Sequence, residues 1–486
     1  MMLKKKGNRV RQNNYSTMQY KSQTIIKMKN LFKSVLIALL VYSMLSCSSD
    51  KEKTESFTTR SVEENKATIE SAGIDLIGVL NRMRSTQTVE AIGNMIQLTG
   101  SGKSKGIGDF TGTGLYSVFR SIHGCAARTL QVNDVFESIK GCADEDPESI
   151  QEFWDRNVGT YTWNSSASDW DISPGGDKFI IKFPSSGNSK MNNATFTIYN
   201  YEGVIVENPF DEEYTGDFPA SLQADLKIGS QTLLRFVFGA SYNADGIPNA
   251  IACDLDFEGF KFEIDVANDT RVISASYKFM EGKAVIMKLS AVVNGLFTAD
   301  NLELNTVHHS ESHSYVCDFV YNPETKEYVE VYCEYTNEWE KIEFEEIAHS
   351  ANAEFQLMNL AVRGDIDIKK LVDKIRIIED QYDTEQIEEE EYFNSISEEI
   401  NKYLNLRLVN INNNEILAKV EAYVEHESDW GYEDFYVSFR LTFGEESPID
   451  METYFGEGFD DFIKSLNDLL EDICNDYGID YDPIDY

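Results

Sequence analysis

What this sequence lacks narrows it first. It has no apolar run long enough to cross a bilayer. The leading candidate, Val35–Leu45, is 11 residues, against the roughly 20 that a helix needs to span about 30 Å of hydrocarbon. It is poor in base, with 43 Lys and Arg against 83 Asp and Glu, and so lacks the basic footprint that nucleic-acid binding requires. No repeat at solenoid periods is visible. No pair among the many carboxylates is singled out for glycosidase chemistry, and no catalytic residue is assigned.

Acidic residues are also missing at one end, where none precedes Asp50. Lys27, Lys29 and Lys33 lead into the short apolar run, and the run closes on Met44-Leu45-Ser46-Cys47. A basic flank, a short apolar core and a small-residue site form a secretory signal. The closing tetrapeptide resembles the bacterial lipobox, with Met44 where that motif most often carries leucine. The resemblance implies that Cys47 receives a thioether-linked diacylglycerol and becomes the mature N-terminus. Ser48 resembles an outer-membrane sorting residue. Asp50, Glu52 and Glu55 resemble the surface-export tether of Bacteroidota lipoproteins, diluted by Lys51 and Lys53. Met28 opens a complete signal of ordinary length, so translation is expected to start there, with residues 1–27 as the alternative long basic leader.

Residues 1–46 hold 9 of the bases and none of the acids, so the remaining 440 residues carry 34 bases against 83 acids, a net −49. With 42% hydrophobic and 12% aromatic residues, this is a chain with real cores rather than a disordered acidic tail. Export places Cys125, Cys142, Cys253, Cys317, Cys333 and Cys474 in an oxidising compartment. The segments Tyr315–Tyr321 and Val329–Tyr335 alternate around a turn with Pro323. If Phe319 opposes Val331, Cys317 lies opposite Cys333, and a cross-strand disulfide is expected there. Cys253 and Cys474 read as core residues.

Taken in order, the polar tether gives way to a capping box at Ser61 and Glu64. A helical pattern through Ile69, Leu76, Ile77, Leu80 and Met83 follows, then a second over Val89–Leu98. Short helices are expected at Leu115–Ile122, Asp134–Ile139 and Glu148–Trp154. From Tyr161 the period changes to two. Strands centred on Leu222–Ile228, Leu234–Ala240, Ile251–Phe257, Phe260–Val266, Ile273–Phe279 and Val285–Ala291 alternate between Gly and Asn turns, the pattern of an antiparallel meander. Its polar side carries Lys227, Arg235, Asp265, Lys278 and Lys288. The Tyr315–Tyr335 hairpin is expected to extend the sheet. Helices over Ile347–Val362, Ile366–Ile378 and Thr384–Leu404 follow, then strands Leu406–Ile411, Ile416–Val424 and Tyr436–Phe443 and a final helix Phe459–Ile473.

Three motifs are weaker than their letters. Thr99–Ser104 approaches a P-loop but has Gln97 where glycine is needed, and it lies among glycines rather than between strand and helix. Gly102–Gly106 matches a nucleophile elbow only by letter. Asn243–Gly246 lacks the closing glutamate of a calcium loop and reads as a turn. His309, Glu311 and His313 would share a strand face and offer imidazole and carboxylate to zinc or copper.

These readings give an α+β chain. Residues 1–46 are the signal, 47–60 a lipidated tether, 61–158 a helical region, 159–340 a curved or barrel-like antiparallel meander, and 341–486 a mixed helix and strand region. The expected function is a non-enzymatic binding or scaffold module, held to the outer membrane by its lipid and facing the periplasm or the surface. Its partner would be a protein, a glycan or an apolar ligand, with no cofactor and no nucleic acid. The alternatives are a glycan-acting hydrolase, with Trp163, Trp170 or Trp430 as a sugar platform, and a carrier of an apolar ligand. On this reading Cys47→Ser moves the exported chain from the detergent-rich to the aqueous phase in detergent partitioning. The intact mass loses its diacylglycerol increment with it.

Overall fold

The computed structural model describes residues 56–101, 150–206, 217–322, 327–342, 344–429, 432–444, 446–456 and 458–477, and of 306–342 the backbone alone. The expected short helices at 115–122 and 134–139, Cys47, Cys125, Cys142 and Trp430 lie outside the described residues.

A short strand, β1 (Ser56–Phe57), precedes the helix α1 (Val62–Arg84). The capping box forms as the sequence dictates. Ser61 Oγ accepts from Glu64 N at 3.3 Å, and Glu64 Oε2 accepts from Ser61 N at 2.9 Å. Helices α2 (Gln87–Ser101) and α3 (Ile150–Asn157) follow. Both are capped by carboxylates distant in sequence. Glu258 Oε2 accepts from Thr88 N at 2.7 Å, and Asp217 Oδ1 accepts from Gln151 N at 2.9 Å. A carboxylate satisfies the open N–H groups of a first turn and complements its partial positive charge. Each helix is thereby pinned to the sheet.

The first strands are β2 (Gly159–Asn164), β3 (Asp169–Pro174), β4 (Phe179–Phe183) and β5 (Ala194–Ile205). β3 pairs antiparallel with β2, β2 runs parallel to β4, and β4 is antiparallel to β5. The meander then proceeds strand by strand: β6 (Asp217–Ile228), β7 (Gln231–Tyr242), β8 (Pro248–Phe257), β9 (Phe260–Asn268), β10 (Val272–Glu281) and β11 (Ala284–Gly295). All six expected strands are present. The β8–β9 turn shows why it takes the residues it has. Glu258 and Gly259 have φ of 45° and 94°, the two positive values that a tight hairpin turn matched to strand twist requires.

After the helix α4 (Ala299–Leu304), strands β12 (Thr306–Asn322) and β13 (Glu327–Ile342) pair only with each other. This corrects the expectation that the hairpin extends the sheet. Its register is also displaced from the expected one. Asn322 pairs with Glu327 across a four-residue connection, which sets Phe319 opposite Glu330 and Val331 opposite Asp318. The turn length fixes the register of a hairpin, and an irregularity between Val316 and Asp318 follows. Cys333 is opposite Tyr315, and Cys317 falls in the irregularity.

Helix α5 (Phe344–Ile347) then leads to β14 (Ala348–Leu357) and β15 (Leu360–Ile366). Here the expected helix over Ile347–Val362 is wrong. Ala351, Ala353 and Phe355 alternate as a strand and pair with β11. Short apolar runs fit either period, and the open edge of β11 decides between them. Helices α6 (Ile368–Asp383) and α7 (Glu389–Tyr403) follow, then β16 (Leu404–Asn410), β17 (Glu415–Asp429), β18 (Tyr432–Thr442), β19 (Ile449–Asp450), α8 (Met451–Gly456) and α9 (Asp460–Tyr477). β14 to β19 continue the same sheet, one neighbour at a time, and β1 adds to the free side of the start of β17. The result is one 17-stranded, mostly antiparallel sheet. It is open rather than a closed barrel, since β3 and β19 are not paired with each other.

Period-two alternation makes the two faces different over almost the whole width. Leu222, Phe238, Cys253, Ile264, Tyr277, Leu289, Phe355, Val362, Leu408 and Ala418 are successive cross-strand neighbours from β6 to β17. Beside them Ala275, Ala291, Ala353 and Gly364 form a row of small side chains, and α6 packs over this part of the sheet, against β14.

α1 crosses this apolar face and joins its cores. Val79, Leu76, Leu80 and Met83 pack with the aromatic cluster of β2–β11, Val62 and Ile69 with the cluster of β17, β18 and α8, and Ala72 with Leu360 and Leu417. α9 lies against α1 where Gly73 leaves room. A Cβ at Gly73 would stand 2.6 Å from the ring of Phe462, and Glu70 Oε1 accepts from Asp461 N at 3.2 Å at the start of α9. Gly73→Val therefore overpacks this crossing and is expected to cost about 1–3 kcal/mol. The readout is a lower urea midpoint, partly restored by adding Phe462→Leu.

Candidate functional site

The apolar face is packed at its ends by helices, and the rim of the sheet is where side chains from distant segments converge. Along one rim runs a cleft of about 730 Å³, within the roughly 300–1,000 Å³ usual for small-molecule sites. α1 supplies Ala67, Thr68, Ser71 and Asp75. These lie within three turns of one helix because residues four apart share a face. The opposite wall comes from three strand ends: Ala284–Ile286, Gln356–Asn359 and Ile411–Asn412. The β14–β15 turn is held in shape. Met358 takes φ of 53°, its N–H donates to Ile286 O at 2.7 Å, and Gln356 Nε2 donates to its carbonyl at 2.9 Å.

The lining combines hydroxyls and amides with an apolar floor of Val285, Ile286, Met358 and Ile411 and a single carboxylate, Asp75. Such a set hydrogen-bonds a polar, largely uncharged ligand and covers its apolar parts. It does not assemble the two facing carboxylates of glycoside hydrolysis. The sequence held no motif for this cleft, because its walls come from positions more than 300 residues apart.

A second feature lies on the apolar face itself. Tyr277, Leu289, Phe355 and Val362 are half-buried, and Leu289, Phe355 and Val362 belong to none of the buried clusters. They form an apolar strip between the covered regions.

The opposite face carries charge, as the sequence indicated for Lys227, Arg235, Asp265, Lys278 and Lys288. Its centre is Glu354, which accepts from Lys288 Nζ at 2.9 Å and from Arg363 Nε at 2.8 Å. Burial raises the Glu354 pKa, but the hydrogen bonds from Lys288 and Arg363 outweigh it and hold the carboxyl below its usual range. Beyond it, Arg363 is directly opposite Arg407, and Arg407 directly opposite Lys419.

Other residues that the sequence singled out take ordinary places. Trp163 and Trp170 are buried, 9% and 6% exposed, with rings edge-on at 5.3 Å. They belong to the core and offer no sugar platform. Cys253 is buried, and burial beside Asp254 pushes its thiol up to about 12, so it stays protonated and inert. Asn243–Gly246 is the expected turn, with Asn243 Oδ1 accepting from Asp245 N and Ile247 N, each at 2.9 Å. His309, Glu311 and His313 occupy alternate positions of β12, opposite Trp339, Asn337 and Tyr335. Their side chains, and those of Cys317 and Cys333, lie outside the described residues. No protein-family model, curated protein or solved structure matches the chain.

The sign of one pH effect follows from Glu354. With its folded pKa below the unfolded value of about 4.3, it contributes stability that is present above that value. The contribution is lost as pH falls through the folded one. Glu354→Gln is expected to lower the urea midpoint at neutral pH, where it leaves Lys288 and Arg363 without their shared acceptor. It also removes part of the decline in that midpoint below about pH 4.3.

Proposed function

We propose that this chain is an exported, lipid-anchored binding module of the cell envelope, in which the broad sheet is a scaffold and the rim cleft takes a polar, uncharged small ligand or glycan fragment. The observation that carries the reading is the cleft. Four separate segments converge on it, its hydrogen-bonding groups are neutral amides and hydroxyls apart from Asp75, and its floor is apolar. The anchor rests on the lipobox at Met44–Cys47 and the basic flank before it. It is further supported by β1. The polar tether ends in a strand hydrogen-bonded to β17, with Thr58 N donating to Ile416 O at 2.9 Å, so a pull on the anchor is delivered to the sheet rather than to a loose end.

A second reading, a carrier of an apolar ligand, is favoured by the half-buried strip Leu289–Phe355–Val362. Native mass spectrometry of the chain from Ser48 to Tyr486, purified from an exporting host without denaturant, separates the two. We expect a reproducible noncovalent mass that Ser71→Trp abolishes by filling the cleft, with an unchanged urea midpoint. A mass that survives Ser71→Trp and extracts into organic solvent transfers the function to the strip. A bare chain mass in every preparation overturns both.

A further inference from the structure

The polar groups of the rim cleft divide into those the fold has used and those it has left. Thr68 Oγ1 donates to Glu64 O at 2.8 Å and accepts from Arg60 Nη1 at 3.3 Å. Gln356 Nε2 goes to the Met358 carbonyl, and the backbone N–H groups of Met358 and Asn412 go to Ile286 O and Asn410 Oδ1. These bonds shape the walls. The side chains of Ser71, Asp75, Asn359 and Asn412 line the cleft and make no hydrogen bond among the described residues. Arg82, a cation that Asp75 influences through space, is already held by both oxygens of Glu281, each at 2.7 Å.

The uncommitted groups fall into two facing pairs. Ser71 and Asp75 are one turn apart on α1, about 6 Å along its axis. Asn359 and Asn412 sit on adjoining turns of the sheet, which Ile411 N ties together by donating to Asn359 O at 2.9 Å. The two walls offer different things. A carboxylate only accepts, whereas a carboxamide presents N–H donors as well as its oxygen. Between them lies the aliphatic floor of Val285, Ile286, Met358 and Ile411, with no aromatic ring among the lining residues.

A ligand spanning this cleft needs a donor on one edge, an acceptor on the opposite edge and a small apolar group beside them. A trans secondary amide meets that demand, because its planar bond points N–H and C=O in opposite directions. A vicinal diol gains nothing from walls of opposite kind, since each hydroxyl both donates and accepts. A cation would satisfy Asp75 but leave the amide donors opposite it without an acceptor.

We propose that the cleft reads the acetamido group of an N-acetylated sugar. The acetamido N–H donates to Asp75, its carbonyl accepts from the carboxamides of Asn359 and Asn412, and its methyl covers the aliphatic floor. Ser71 is left for a hydroxyl of the sugar ring. The proposal rests on the cleft reading above and names the group that selects the ligand.

The test is saturation-transfer difference NMR on the full exported chain in detergent micelles, with disaccharide probes titrated in turn. N,N′-diacetylchitobiose carries acetamido groups, cellobiose has hydroxyls in their place, and chitobiose has free amines. Saturation is expected to be strongest on the acetamido methyl protons. Diacetylchitobiose should bind about tenfold more tightly than cellobiose, the factor equal to about 1.4 kcal/mol. Asn359→Ala combined with Asn412→Ala should bring it down to the cellobiose affinity, with the urea midpoint as the check on folding. Asp75→Asn, which keeps an acceptor oxygen, should weaken it less than Asp75→Ala.

Equal affinity for diacetylchitobiose and cellobiose, or saturation of neither, overturns the proposal. Tighter binding of chitobiose overturns it too and makes Asp75 an ammonium site. N-acetylalanine methylamide bound as tightly as the disaccharide overturns the sugar and assigns the same amide chemistry to a peptide. Ser71→Trp separates this proposal from the reading beneath it. Cellobiose binding that this variant abolishes, without preference for acetamido, keeps the cleft and loses the acetamido group. An acetamido preference that survives the variant overturns the cleft as its place.

Discussion

The structure depends on one packing interaction, that of α1 across the apolar face of the sheet. A sheet of this width has more apolar surface than its own strands can cover, and α1 is the element that touches several of its cores at once. Val62 at one end and Val79 near the other are both buried, worth up to about 1.5–3 kcal/mol apiece by removal of apolar surface from water. Between them Ala72 and Gly73 let the helix approach β15, β17 and α9 closely. The side of α1 turned away from the core supplies Ser71 and Asp75 to the cleft. Core and candidate site are two sides of the same helix.

The sheet then does two jobs through its alternation. Its apolar rows collect α1 and α2, with α6 packed against β14, while the other side is left to charge. Carboxylates distant in sequence tie the helices down, Glu258 to α2, Asp217 to α3 and Glu70 to α9. These bonds orient the helices over the sheet as well as stabilising them. The strand β1 joins the same assembly on β17, which fixes residues 56–57 to the sheet by backbone pairing.

Much of this was legible in the chain itself. The capping box at Ser61 and Glu64, the six regular strands from Leu222 to Ala291, the Asn243 turn and the final amphipathic helix are all local patterns, and they folded as they read. Failures occurred where local signals were evenly balanced. The Ile347–Val362 segment carries apolar residues compatible with either period, and only the hydrogen-bonding edge of β11 made it two strands. The 306–342 hairpin was recognised, but its register depends on a connection closed by Asn322 and Glu327, one residue away from the pairing that aligns its apolar faces.

The sequence by itself determined the alternation that separates an apolar from a charged face and the caps and turns that bound each element, because those depend on residues within a few positions of one another. It also carries the basic flank, the short apolar run and the Met44–Cys47 tetrapeptide whose resemblance to an export signal and lipobox is local in the same way. The tertiary structure alone decided that 17 strands from both halves of the chain form one open sheet and that Trp163 and Trp170 are core. It likewise decided that Ser71 and Asp75 face Asn359 and Asn412 across a cleft. The like-charged row became visible only with the pairing of β15, β16 and β17. The reason is physical: neighbours across a sheet are chosen by strand order and register, which sum small preferences over the whole chain, and no local pattern encodes which strand will lie alongside.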